Sequence, residues 1–138
     1  MPLPGFIYRS GPYELGKSSP TVASTLIDLA DSLEEDSGQL SPGASNERIV
    51  GVALETKASA NTTTDAIQVI YNYDTRTKFG VPAEAGTFVA ADIHTKVDLN
   101  SADGVNANDT TNGDVYVISF SVANTGVGVF CKPAVIDQ

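Results

Sequence analysis

The sequence predicts an all-β protein: a small β-barrel or sandwich of short antiparallel strands with an extended N-terminal arm. Short stretches rich in Val, Ile, Tyr and Phe recur, most clearly at residues 48–55, 66–74 and 114–122. Turn-forming pairs such as Asp103-Gly104 and Asn112-Gly113 fall between such stretches, and no heptad, fixed-period repeat or low-complexity tract competes. Several short strands with turn signals at close intervals belong to a barrel or sandwich. The 138 residues allow one core, not two. A chain of this size buries roughly 68–70% of its unfolded surface and needs neither disulfide nor metal to fold.

Residues 1–20 form the arm and residues 21–138 a single β domain. The first twenty residues hold four of the seven prolines and three of the twelve glycines, which resist both helix and central strand. Yet Phe6, Tyr8 and Tyr13 also sit there, beside Leu3, Ile7 and Leu15. Two readings stay open. The segment is either a first strand lying on its own core or an arm that orders against a partner. As an arm, its partner contacts are Leu3, Phe6, Ile7, Tyr8, Arg9, Tyr13 and Leu15, and its removal leaves a folded β domain.

Residues 21–36 allow a short helix capped by Ser24 or short strands with Ile27 and Leu29 on one face. The surrounding pattern favours strand, with a turn at Asp36-Ser37-Gly38 and five acids between Asp28 and Asp36 as a solvated edge. Arg48–Glu55 is apolar on both faces, and Gly51 marks a close backbone approach. In Ala66–Asp74, Ile67, Val69, Tyr71 and Tyr73 share one face of a half-buried strand. Thr77–Pro82 reads as a short partner ending at proline. Residues 83–94 allow a short helix or a broken strand, and Val97–Leu99 a brief strand. Asp114–Val122 and Val127–Lys132 flank Ala123–Gly126 as the clearest hairpin.

Seventeen acidic against eight basic residues give a net charge of −9. That excess repels phosphate backbones and anionic lipid, so nucleic acid and membrane surfaces are not expected partners. No run approaches the 18 apolar residues of a membrane span, and the leading MPLPGFIYRSG has no signal-peptide core, which predicts synthesis in the cytoplasm. A single Cys131 and a single His94 leave few parts for nucleophilic or metal chemistry. Both read as structural. An EF-hand counted from Asp98 fails, because its required sixth-position glycine arrives one residue late at Gly104. No catalytic residue, metal site or cofactor is expected.

The segments Ser37-Gly-Gln-Leu-Ser-Pro42, Arg48-Ile-Val-Gly-Val-Ala-Leu-Glu55 and Ile67-Gln-Val-Ile70 resemble the head decoration (cement) proteins of tailed bacteriophages. The likeness runs over roughly residues 20–130, and the arm before Pro20 carries no matching motif. The resemblance implies a non-enzymatic β domain, made in the host cytoplasm and seated on the outer face of the capsid. It further implies a homotrimer that binds the major capsid protein and stabilises the expanded shell. The other reading is a ligand-binding or adhesive β module, such as a carbohydrate-binding domain of a virion fibre. Tyr71 and Tyr73 would be its aromatic platform.

Overall fold

The computed structural model describes residues 5–12, 14–18, 26–36, 39–57, 66–71, 75–122 and 124–131. Among these the chain is almost wholly β. The strands are β1 (Ile7–Ser10), β2 (Glu14–Ser18), β3 (Ser32–Asp36), β4 (Gln39–Pro42), β5 (Ile49–Ala53) and β6 (Ile67–Tyr71). They continue with β7 (Lys78–Ala85), β8 (Lys96–Ser101), β9 (Gly104–Asn106), β10 (Val115–Val122) and β11 (Thr125–Phe130). One 3₁₀ turn, Ala90–Asp92, occupies the stretch where a short helix or broken strand was expected.

Five strands close a small mixed barrel in the order β7-β11-β10-β8-β9. It closes because β9 pairs with β7 in parallel through Ala83↔Val105, whereas the other neighbours are antiparallel. β1 pairs with the first half of β7, through Ile7↔Gly80 and Tyr8↔Phe79. β7 therefore runs past Pro82, where the sequence suggested that it ends. The Ala83 N–H donates to the Asn124 carbonyl at 3.0 Å, so the Pro82 nitrogen faces the opposite edge, between β1 and β9. The missing donor falls where no ladder bond is required.

A second sheet of five strands has the order β2-β6-β5-β3-β4. β3 and β4 form the hairpin expected around residues 36–38, with Asp36 opposite Gln39. Gly51 in β5 is required for the reason read from the sequence. A Cβ there would strike the Ile70 carbonyl oxygen and approach Val69 Cγ1 to 2.5 Å. Gly51→Ala is expected to destabilise by about 1–3 kcal/mol, measured as a lower denaturation midpoint with unchanged m-value.

The two faces of this sheet have different company. Ile49, Val52 and Ile70 join Phe79, Val81, Val97, Val115 and Phe130 in the core shared with the barrel. On the other face, Ile67, Val69 and Ala53 pack with Leu33, Leu40 and Ile27, and Tyr71 lies half-buried against them. The shared face of Ile67, Val69 and Tyr71 is as the alternation predicted, while Tyr73 lies outside the described residues. Ile27 and Leu29 do not share a face. Ile27 is fully buried through an isolated bridge to Lys57, and Leu29 is 48% exposed. The turn at 28–31 separates them, with Ala30 at φ +73°.

The leading segment is built into the body. β1 is an edge strand on β7, and β2 is an edge strand on β6 through Leu15↔Ile70. Of the two readings of this stretch, the first strand on its own core describes residues 6–10 and 14–18. Phe6, named among the partner contacts, is instead a core residue. It is 1% exposed, with its ring 4.9 Å from Phe130. Leu3 and Tyr13 lie outside the described residues.

Candidate functional site

The turn at residues 28–31 joins the two layers and borders an apolar concavity. Ala30 accepts the Phe6 N–H at 2.9 Å and donates to the Ala53 carbonyl at 2.8 Å. Ser32 gives both its N–H and its hydroxyl to the Ala102 carbonyl, in the β8–β9 turn. Gly5, at φ +136°, lets the chain pass the Ala30 carbonyl, where a Cβ would sit 2.5 Å from its oxygen. Only glycine adopts that backbone without strain.

Between this turn, β1 and the β5–β6 pair lies a groove of about 300 Å³. Phe6, Ala30 and Val52 form its floor; Ile7, Tyr8, Leu29 and Leu54 form its walls. Ile7, Leu29 and Leu54 are 40–48% exposed. A second depression of about 230 Å³ shares Leu54 and adds Leu15, Gly16 and Gln68. Leu15 is the most exposed large aliphatic residue of this strip, at 59%. Exposed apolar surface of this kind makes the strip the candidate contact area of the described residues.

The expected contact residues thus divide. The structure brings Ile7, Tyr8 and Leu15 to the strip. Tyr8 also packs edge-on against Phe79 and donates its hydroxyl to the Gly11 carbonyl at 2.7 Å. Arg9 is exposed, and its guanidinium lies over Gly80. Leu29 and Leu54 were not singled out, although each carried a sequence signal. Leu29 stands between Asp28 and Asp31, and Leu54 precedes Glu55, so each is an aliphatic residue inside a charged turn.

Carboxylates gather behind the turn. Burial pushes the Asp31 carboxyl up from 3.8 to about 6; the Asp28 N–H opposes this, and the charges of Asp103, Asp28 and Glu84 add to it. Glu84 is raised, first by burial and then by its hydrogen bond with Asp103, which is correspondingly lowered. The Ser101 hydroxyl lies 2.5 Å from Glu84 Oε1 and 2.6 Å from Asp103 Oδ1. One hydroxyl proton cannot serve both contacts, so the trio holds together best with one carboxyl protonated. Neither Glu84 nor Asp103 lines the apolar groove. Among the described residues, no three His, Cys, Asp or Glu side chains are placed to hold a metal ion. His94 Nδ1 meets the Tyr116 hydroxyl at 3.1 Å on the surface, and Cys131 is half-buried just after β11.

The raised Asp31 has a definite consequence for stability. Between pH 3.8 and about 6 the folded chain holds a proton that the unfolded chain has lost, so stability falls as pH rises through this window. A shift of this size corresponds to about 3 kcal/mol at full strength, and screening by nearby water reduces the expected loss to about 1–2 kcal/mol. Urea denaturation at pH 4 and pH 7 should show this loss for the wild type. Asp31→Asn should remove that part of the pH dependence.

Comparison with family models, with curated proteins and with solved structures finds no match. No helix among the described residues is long and apolar enough to cross a membrane.

Proposed function

We propose that this chain is a structural virion protein that binds the outside of a bacteriophage capsid and stabilises the expanded shell. The observation that carries this reading is the apolar strip on the leading strands, formed by Ile7, Tyr8 and Leu15 with Leu29 and Leu54. A chain with a net charge of −9 repels nucleic acid and anionic lipid, yet it presents a concave hydrocarbon surface to a partner. The likeness of the sequence segments Ser37–Pro42 and Arg48–Glu55 to phage head decoration proteins supports the major capsid protein as that partner. The likeness also suggests a homotrimer.

A cementing role fits the physics of the strip. Each groove buries one or two aliphatic anchors, which is weak by itself. Several grooves on one oligomer engage neighbouring capsid subunits together, and effective concentration multiplies the contacts. The attached oligomer then resists separation of those subunits.

Co-sedimentation with expanded heads tests this directly. Leu54→Asp and Ile7→Asp should each weaken attachment by about tenfold or more, because a carboxylate in an apolar contact loses its hydration without a partner. Both side chains are already 40–41% exposed, so folding should change by at most about 1 kcal/mol. Undiminished attachment of both variants would overturn the groove as the contact surface.

A further inference from the structure

Two cations stand beside the groove on its β1 side. Along β1, Tyr8 lies opposite Phe79 and Ser10 opposite Lys78, so Arg9 is the extra residue of a β-bulge. Bulges re-aim side chains, and here Arg9 reaches back across β7. A Cβ on Gly80 would lie 3.2 Å from its Nε. Gly80 is also the residue opposite Ile7, so the exposed guanidinium borders the Ile7 wall of the groove. Lys78, two residues before Gly80 in β7, shares that face and is exposed. Neither Arg9 nor Lys78 forms an ion pair with a described residue, in contrast to Lys57 with Glu55. The strands around them are poor in acid. β1, β10 and β11 contain no Asp or Glu, and the one acid of β7 is Glu84, near its far end. In the sheet these four strands are neighbours, in the order β1-β7-β11-β10. A chain of net charge −9 thus keeps two unpaired cations on an acid-poor face, next to exposed hydrocarbon.

We propose that Arg9, Lys78 and the Ile7 wall of the groove together bind an acidic–aliphatic peptide segment, with its carboxylate at the two cations and its aliphatic side chain in the groove. Charge complementarity selects this occupant. An acidic partner is repelled by most of the chain, and the Arg9–Lys78 face is where it is drawn in. The cations therefore fix where the segment lands, and the groove supplies the burial. Nucleic acid offers phosphate without an aliphatic side chain for the groove. An anionic bilayer offers both chemistries, but as a continuous negative surface that the whole chain must face. A single segment meets only this patch. The proposal deepens the capsid-binding reading, and rests on it only for the capsid as the source of the segment.

Two measurements test it, one with capsids and one without. In co-sedimentation with expanded heads at low salt, the double variant Arg9→Gln/Lys78→Gln should attach about three- to tenfold more weakly than the wild type. Arg9→Glu/Lys78→Glu should lose more, and Arg9→Lys/Lys78→Arg should attach as the wild type does. The ratio of wild-type to Gln-variant attachment should fall toward one as salt is raised from about 50 to about 500 mM, because screening removes the difference. Both side chains are exposed, so thermal unfolding should be unchanged in all three variants. Without capsids, a short peptide of Glu and Leu should shift the nuclear magnetic resonance signals of Ile7, Arg9, Lys78 and Leu54, and a peptide of Lys and Leu should not. Equal attachment of wild type and the Glu variant, or equal response to the two peptides, would overturn the proposal. Flotation with phosphatidylglycerol vesicles that depends on Arg9 and Lys78 would assign the surface to lipid and overturn it as well. A wild type that ignores heads but discriminates the peptides would uphold the surface and overturn the capsid reading. Firm attachment to heads that is indifferent to both cations would do the reverse.

Discussion

Phe6→Ala should lower the stability by about 3–5 kcal/mol, the largest effect expected of any truncation in the leading segment. The ring lies 4.9 Å from Phe130, which is in turn 5.3 Å from Phe79, so three aromatic rings fill the junction between β1 and the barrel. Removing one ring leaves a cavity that its rigid neighbours cannot collapse into. It also removes the floor of the groove, since Phe6 lies beneath Ile7 and Leu29. Thermal unfolding should therefore occur about 10–20 °C lower. Deleting the first nineteen residues, which a free arm would tolerate, should be worse still, because it strips an edge strand from each sheet. A melting temperature unchanged in Phe6→Ala would show that the leading segment is not part of the core.

Asp114→Ala should cost a similar amount, about 3–5 kcal/mol, for a different reason. This carboxylate is 2% exposed and ties three segments together. It accepts the Ser45 hydroxyl at 2.7 Å, the Asn46 N–H at 2.9 Å and the Leu99 N–H at 2.9 Å. The Leu99 bond lies in the barrel, and the Ser45 and Asn46 bonds fasten the β4–β5 loop to it. Alanine leaves those donors facing a space without an acceptor. Asp114→Asn keeps one acceptor oxygen and should lose roughly half as much. Equal losses for alanine and asparagine would mean that the negative charge, rather than the count of acceptors, holds the loop. Chemical denaturation of the two variants at one pH separates these outcomes.

Much of the fold was legible because alternation and turn chemistry are local. The β10–β11 hairpin, the β3–β4 hairpin, the shared face of Ile67 and Val69 and the need for glycine at position 51 could all be read along the chain. What resisted reading depends on contacts distant in sequence. Pro82 looked like a strand end because the interruption between β1 and β9 on its nitrogen side comes from strands far away in the chain. Leu29 looked like a companion of Ile27, since nothing local announces the left-handed backbone at Ala30 that turns the two apart. The prolines and glycines of the first twenty residues looked like an arm. Gly16 nevertheless lies within β2, an edge strand on β6, so a glycine there does not exclude a strand. Phe6 and Ile7 are adjacent hydrophobic residues with opposite fates, one under β1 and one on its surface, and composition cannot separate them.

The same reasoning explains the site. Ile7, Tyr8 and Leu15 stood out because aromatic and aliphatic residues are unexpected in a proline- and glycine-rich leader. The opposite wall, Leu29 and Leu54, stayed hidden because each reads as part of a strand until its turn is seen. A groove is a relation between segments, here residues 6–8, 29–30, 52–54 and 70.

Electron cryo-microscopy of expanded heads incubated with the purified chain tests the proposed role most directly. The expected result is regular added density on the outer capsid surface, with the wall formed by Ile7, Leu29 and Leu54 turned toward a capsid subunit. Bare heads at saturating protein, or bound copies that all turn this wall to solvent, would contradict it.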